Sequence, residues 1–128
     1  MTQEDKELIF KELCSRLPYH VKCKIWLKDG TTEEGLLDLQ HNYGDVLQDA
    51  FYYNKIKYIK PYLIPMSSMT EEEKEEYCQL QQKVIYNSKG VINEDVTKYI
   101  NWCYKKHLDI NNLIPMELAI DATGLNIY

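Results

Sequence analysis

Apolar residues recur at two different periods along this chain, and the period changes within residues 61–76 (PYLIPMSSMTEEEKEE). Before that stretch they return at every second position, as in half-buried strands. After it they return at every third or fourth position, as along a helix. The pattern predicts a small β unit joined to a helical unit.

At the N-terminus, Thr2 and Asp5 have the spacing of a capping box, with Asp in place of the usual Glu or Gln. Ile9, Phe10, Leu13, Cys14 and Leu17 then fall on one stripe, which predicts a helix over residues 3–16 that Pro18 terminates. Val21, Cys23, Ile25 and Leu27 alternate with Lys22, Lys24, Trp26 and Lys28, which reads as a half-buried strand. Asp29-Gly30 makes a hairpin turn. A two-residue loop would leave Leu37 and Leu39 on the lysine face. A three-residue loop with Gly30 in the left-handed position, or a bulge near Gly35, turns both leucines to the face of Val21, Cys23 and Ile25. Burying two leucines is worth a few kcal/mol, which favours the longer loop or the bulge.

Residues 41–45 (HNYGD) read as a turn, residues 46–53 as a third strand, and residues 56–60 as a short fourth strand cut off by Pro61. A meander of three or four such strands is expected to curl into a small barrel-like or half-barrel antiparallel sheet, with an open sheet as the close alternative. Thr70 and Glu73 form a second capping box, and Tyr77, Leu80 and Val84 are the stripe of the helix it opens. Asn87-Ser88-Lys89-Gly90 breaks that helix. Asn93 caps the next, with a stripe of Val96, Tyr99, Ile100, Cys103 and His107, and Asn111-Asn112 is expected to stop it. The tail (LIPMELAIDATGLNIY) is too apolar to hang free and should pack onto the body. The tetrapeptide Leu-Ile-Pro-Met occurs at 63–66 and again at 113–116 without matching flanks, and is not taken as a repeat. The fold class is therefore α+β in a single domain over residues 1–128. Residues 1–66 hold a helix and the β meander; residues 67–128 hold two helices and a packed tail.

Length and composition fit this picture. A chain of 128 residues buries roughly 65–70% of its unfolded surface, and 45% apolar with 27% charged residues argues against disorder. Eleven tyrosines against two phenylalanines suit half-buried positions, with rings packed and hydroxyls wet. The net charge of −5 is uneven: residues 1–69 hold 9 basic and 10 acidic groups, residues 70–128 hold 6 and 10. Bulk attraction to nucleic acid or anionic membrane is thereby disfavoured, so such binding needs a local patch. No apolar run approaches the ~20 residues of a membrane span. The charged N-terminus carries no signal-peptide pattern. Four cysteines without a C-x-x-C pair suit a reduced, cytoplasmic protein.

Two constellations carry candidate chemistry. His20-x-x-Cys23 and Cys103-x-x-x-His107 have spacings that could surround a tetrahedral zinc ion. Both cysteines, however, lie on apolar stripes, where a thiol acts as a small hydrophobe, and no metal or cofactor is assigned. The second is a candidate binding face of Lys22, Lys24, Trp26 and Lys28 on the first strand, with Lys57 and Tyr58 beside them. Lys55, Lys60, Tyr52 and Tyr53 are expected near it. Cations interleaved with aromatics can hold single-stranded nucleic acid by phosphate contact and base stacking. The same lysines also suit a solvated strand face that resists edge-to-edge aggregation, and Glu33, Glu34 and Asp38 would offset their charge. The remaining carboxylates show no acid–base spacing, there is no glycine-rich phosphate loop, and no nucleophile sits in a recognisable triad. No enzyme is expected.

Three stretches carry a resemblance: Arg16-Leu17-Pro18-Tyr19-x-Val21-Lys22-Cys23, Lys60-Pro61-Tyr62-Leu63-x-Pro65-Met66-Ser67-Ser68-Met69-Thr70-Glu71-Glu72-Glu73, and the tail at 113–128. The chain resembles, along nearly its whole length, an uncharacterised family of small proteins of gut anaerobes associated with prophages and other mobile elements. It departs from that pattern at Asn111-Asn112, where Arg-Gly is usual, and in the last six residues, which lack a Pro-x-Gly-Met ending. The resemblance implies a phage-related origin and brings no activity or catalytic residue with it. The expected function is a non-enzymatic accessory or adaptor that binds another protein. The alternative is a nucleic-acid-binding module that uses the lysine–aromatic face.

Overall fold

A computed structural model describes residues 2–37, 56–86 and 93–128. The elements run α1 (Gln3–Arg16), β1 (Val21–Leu27), β2 (Thr32–Leu37), β3 (Ile56–Leu63), α2 (Glu71–Tyr86), α3 (Asn93–Lys105) and β4 (Ile120–Asp121). The strand order is β2-β1-β3-β4. The expected strand over 46–53, the turn at 41–45, the chain break at 87–90, and Asp38 and Leu39 lie outside the described residues.

Both capping boxes form. Thr2 Oγ1 accepts the Asp5 N–H and the Asp5 carboxylate accepts the Thr2 N–H, each at 3.1 Å. Thr70 and Glu73 make the same reciprocal pair at 3.1 and 3.0 Å. The hairpin takes the three-residue loop. Val21 lies opposite Leu37 and Trp26 opposite Thr32, Leu27 N–H donates to Thr31 O at 2.9 Å, and Gly30 sits at φ +91°. That left-handed φ is easy only for glycine, so the turn chemistry accounts for this register.

Several expectations are corrected. The sheet is open rather than barrel-like, and it is mixed rather than antiparallel. β1 pairs antiparallel with β2 and β3, but the tail strand β4 adds in parallel along β3, with Tyr62 beside Ile120 and Leu63 beside Asp121. Pro61 does not end β3, which continues to Leu63. Proline is tolerated where its missing N–H has no ladder partner, and β4 covers the outer edge of β3 only from Tyr62 onward. Helix α3 ends at Lys105, six residues before Asn111, in a Schellman motif. Leu108 N–H donates to Cys103 O (3.0 Å) and His107 N–H to Tyr104 O (2.9 Å). His107 takes the left-handed conformation (φ 57°) that glycine or asparagine usually supplies.

The core lies between α1, the inner face of the sheet and the tail. It contains Ile9, Leu13, Val21, Cys23, Ile25, Ile56, Ile59, Leu63, Leu113, Leu118 and Ala119. The buried face of α1 differs from the predicted stripe. Phe10 and Cys14 are exposed, while Glu12 (3% exposed) and Arg16 (0%) are buried beside Ile9 and Leu13. The charged pair can be buried because its partners are internal. Arg16 Nε donates to Glu12 Oε1 at 2.6 Å, Arg16 Nη2 donates to Leu108 O at 2.6 Å, and Asn111 Nδ2 donates to Glu12 Oε2 at 2.6 Å. The guanidinium also lies over the Tyr104 ring, 4.7 Å from its centroid.

The tail is stitched in by backbone pairing and by one buried carboxylate. Ile64 N–H donates to His107 O, Asp109 N–H to Ile64 O, and Ala122 N–H to Leu63 O. Asp109 accepts the N–H groups of Leu113 and Ile114 at 2.7 and 2.9 Å. Tyr128 closes the end. Its hydroxyl accepts Lys22 N–H (2.9 Å) and donates to Tyr62 O (2.6 Å), and its ring stacks on His107 with centroids 3.6 Å apart. Tyrosine and tryptophan side chains join helices α2 and α3. Tyr77 and Tyr99 share a hydroxyl hydrogen bond of 2.8 Å, and Trp102 Nε1 donates to Glu76 at 3.0 Å.

Candidate binding face on the sheet

Alternation along β1 and β3 sorts their side chains onto two faces. Val21, Cys23, Ile25, Ile59 and Leu63 enter the core. Lys22, Lys24 and Trp26 stand on the other face, and so do Tyr58, Lys60 and Tyr62. The β1–β3 register places Trp26 opposite Tyr58 and Lys24 opposite Lys60. The β1–β2 register adds Thr32 beside Trp26, Glu34 beside Lys24 and Leu36 beside Lys22. The outer face is therefore a grid of three rows: Thr32–Trp26–Tyr58, Glu34–Lys24–Lys60 and Leu36–Lys22–Tyr62.

In the first row Trp26 and Tyr58 touch as a tilted pair, with ring centroids 5.1 Å apart. Both are half-buried, so each ring keeps surface open to solvent. Three ammonium groups lie over these rings. Lys24 Nζ is 5.3 Å and Lys60 Nζ 5.7 Å from the Trp26 ring; Lys60 Nζ is also 5.8 Å, and Lys57 Nζ 5.5 Å, from the Tyr58 ring. These separations fall within cation–π range, worth about 0.5–1 kcal/mol at exposed sites.

Glu34 reaches from the second row into the third. Tyr62 Oη donates to Glu34 Oε1 at 2.6 Å, and Lys22 Nζ lies 3.7 Å from Glu34 Oε2. The Tyr62 hydroxyl holds the Glu34 carboxyl below its ordinary range, helped by the charges of Lys22 and Lys24. Burial, reinforced by Glu34, pushes Tyr62 up to about 12.

Of the six residues predicted for the face, Lys22, Lys24, Trp26 and Tyr58 fall within the grid. Lys57 is exposed and reaches the Tyr58 ring, and Lys28 is exposed in the hairpin turn. Lys55, Tyr52 and Tyr53 lie outside the described residues. Tyr62 was missed because Pro61 was taken as the end of its strand; the alternation of β3 through Pro61 was the signal.

The other constellations resolve differently. His20, Cys23, Cys103 and His107 do not assemble as ligands, and among the described residues no three His, Cys, Asp or Glu side chains are placed to hold a metal ion. Cys23, Cys103 and His107 instead feel the charge of the buried Arg16. Burial pushes the Cys23 thiol up to about 12 and that of Cys103 to about 11, which favours the inert thiol form.

A cleft of about 500 Å³ brings the two Leu-Ile-Pro-Met segments together, through Pro65, Met66, Ile114 and Pro115, and also contains Asp109 and Asp121. Both oxygens of Asp109 are occupied by backbone N–H groups. Asp121 is held below the ordinary carboxylate range by Thr123, the reverse of what a general acid at neutral pH requires.

No helix among the described residues is long and apolar enough to cross a membrane. No protein-family model, curated protein or solved structure matches the chain.

Proposed function

We propose that this protein binds single-stranded nucleic acid on the outer face of its sheet and catalyses no reaction. The observation that carries the reading is the Trp26–Tyr58 pair with lysine ammonium groups over both rings. Unpaired bases stack on aromatic faces for about 1–3 kcal/mol each, whatever their sequence, and lysines beside the stack meet the phosphates. An unpaired strand can lie across the sheet face with its bases against the ring pair. The net negative charge is not an obstacle, because many of the acids stand elsewhere. Glu71, Glu72, Glu73, Glu75 and Glu76 line the start of α2. Origin in a phage or other mobile element, and residence in the cytoplasm, belong to the same proposal.

The test is fluorescence anisotropy of a labelled oligothymidine titrated with the full chain at several salt concentrations. Binding should weaken as salt rises. Lys24→Gln and Lys60→Gln should each lower the slope of log K against log salt by about 0.7, the value for one phosphate contact on a single strand. Binding that ignores both substitutions would overturn the reading. So would recovery from a host lysate of a protein partner, the function expected from composition, with no nucleic acid.

A further inference from the structure

Seven other outer-face positions surround the aromatic pair, and their charge is lopsided. The first two rows present Lys24 and Lys60, with Lys57 beside Tyr58, and Glu34 at the β2 end of the second row leans its side chain across to the third. The third row presents Lys22, whose ammonium is shared with the Glu34 carboxylate. Glu34 is not a loose surface acid. Tyr62, 7% exposed, donates its hydroxyl to Oε1, while Oε2 faces Lys22. The cross-strand pairing also sets Glu34 directly beside Lys24. A carboxylate fixed at that point has two effects on an approaching polyanion: it repels phosphate, and it occupies the lysine that would otherwise attract it.

We infer that Glu34, held by Tyr62, sets one end of the nucleic-acid track. It confines the strand to the Trp26, Tyr58, Lys24, Lys57 and Lys60 end of the sheet and keeps it off Lys22 and Tyr62. Glu34 is thus a specificity-determining residue that limits the length of strand engaged. The inference rests on the binding reading above and adds to it a boundary and the residue that makes it.

The experiment compares the wild-type chain, Lys22→Gln, Glu34→Gln and the double variant Lys22→Gln/Glu34→Gln in the same oligothymidine titration. Circular dichroism and thermal melting establish that each variant is folded. Glutamine keeps the Tyr62 hydrogen bond and removes the charge. Glu34→Gln should bind more tightly and steepen the salt slope by about 0.7, because Lys22 gains a phosphate. Lys22→Gln alone should leave the wild-type slope unchanged, and the double variant should return to it. Wild-type binding with an unchanged slope in Glu34→Gln would overturn the boundary while leaving the binding face intact. An absence of binding by the wild type and by Glu34→Gln would overturn the face itself and the boundary with it.

Discussion

Arg16 carries a full charge into the core, and its environment shows how a small domain makes that tolerable. A buried ion pair stabilises little compared with apolar residues of the same shape, but removing one partner strands the other. Here Glu12 and Asn111 take part in the same network, and Leu108 O receives the guanidinium. Arg16→Met alone should therefore cost about 3–5 kcal/mol in urea denaturation, because the Glu12 carboxylate stays buried. Glu12→Met/Arg16→Met should recover most of that loss. A single variant as stable as the wild type would mean that the pair is solvated. This pair was hidden in the sequence for a simple reason: charged residues are rarely fully buried, so the stripe of α1 was drawn through Phe10 and Cys14. The available signal was the i, i+4 Glu–Arg spacing on the same side as Ile9 and Leu13.

At the scale of elements, local rules with strong physical causes were legible. Two capping boxes, the Asp29-Gly30 turn and the alternation of β1 placed α1, α2 and the first hairpin. Elements that depend on partners far along the chain were not legible. The parallel strand at residues 120–121 exists because Tyr62 and Leu63 offer it an edge, and the continuation of β3 through Pro61 depends on that same edge. The C-terminus of α3 was misplaced because its left-handed position holds His107 rather than glycine.

That histidine makes a prediction for the element it closes. Burial first, then the charges of Arg16 and His20, push His107 down to about 4 from its ordinary 6.5. The unfolded chain therefore binds a proton between those values that the folded chain refuses. Its contribution is unimpaired above about pH 6.5, and stability falls as pH drops through the window toward 4. His107→Asn keeps a residue tolerant of the left-handed conformation and removes the titration. In chemical denaturation at pH 7 and pH 5, the variant should lose less stability across that interval than the wild type. Equal losses would contradict the assignment.

Over the whole molecule, the organisation is one of separated charge around a shared core. The inner sheet face, α1 and the tail form the apolar centre, the glutamates of α2 stand at one place, and the lysine–aromatic grid occupies the outer sheet face. The grid was partly legible in advance, because the lysine–tryptophan alternation of β1 is local. The pairing of Trp26 with Tyr58, and the Tyr62–Glu34–Lys22 contacts that cross between rows, arise from the registers among three strands rather than from any local pattern. The central claim is that the grid receives unpaired bases. It is tested most directly by the fluorescence of Trp26 in a Trp102→Phe chain, where Trp26 is the one remaining tryptophan. Titration with oligothymidine should quench that emission by stacking, and added salt should restore it. Emission that stays constant through the titration, or falls equally with a polyanion that has no bases, would contradict the account.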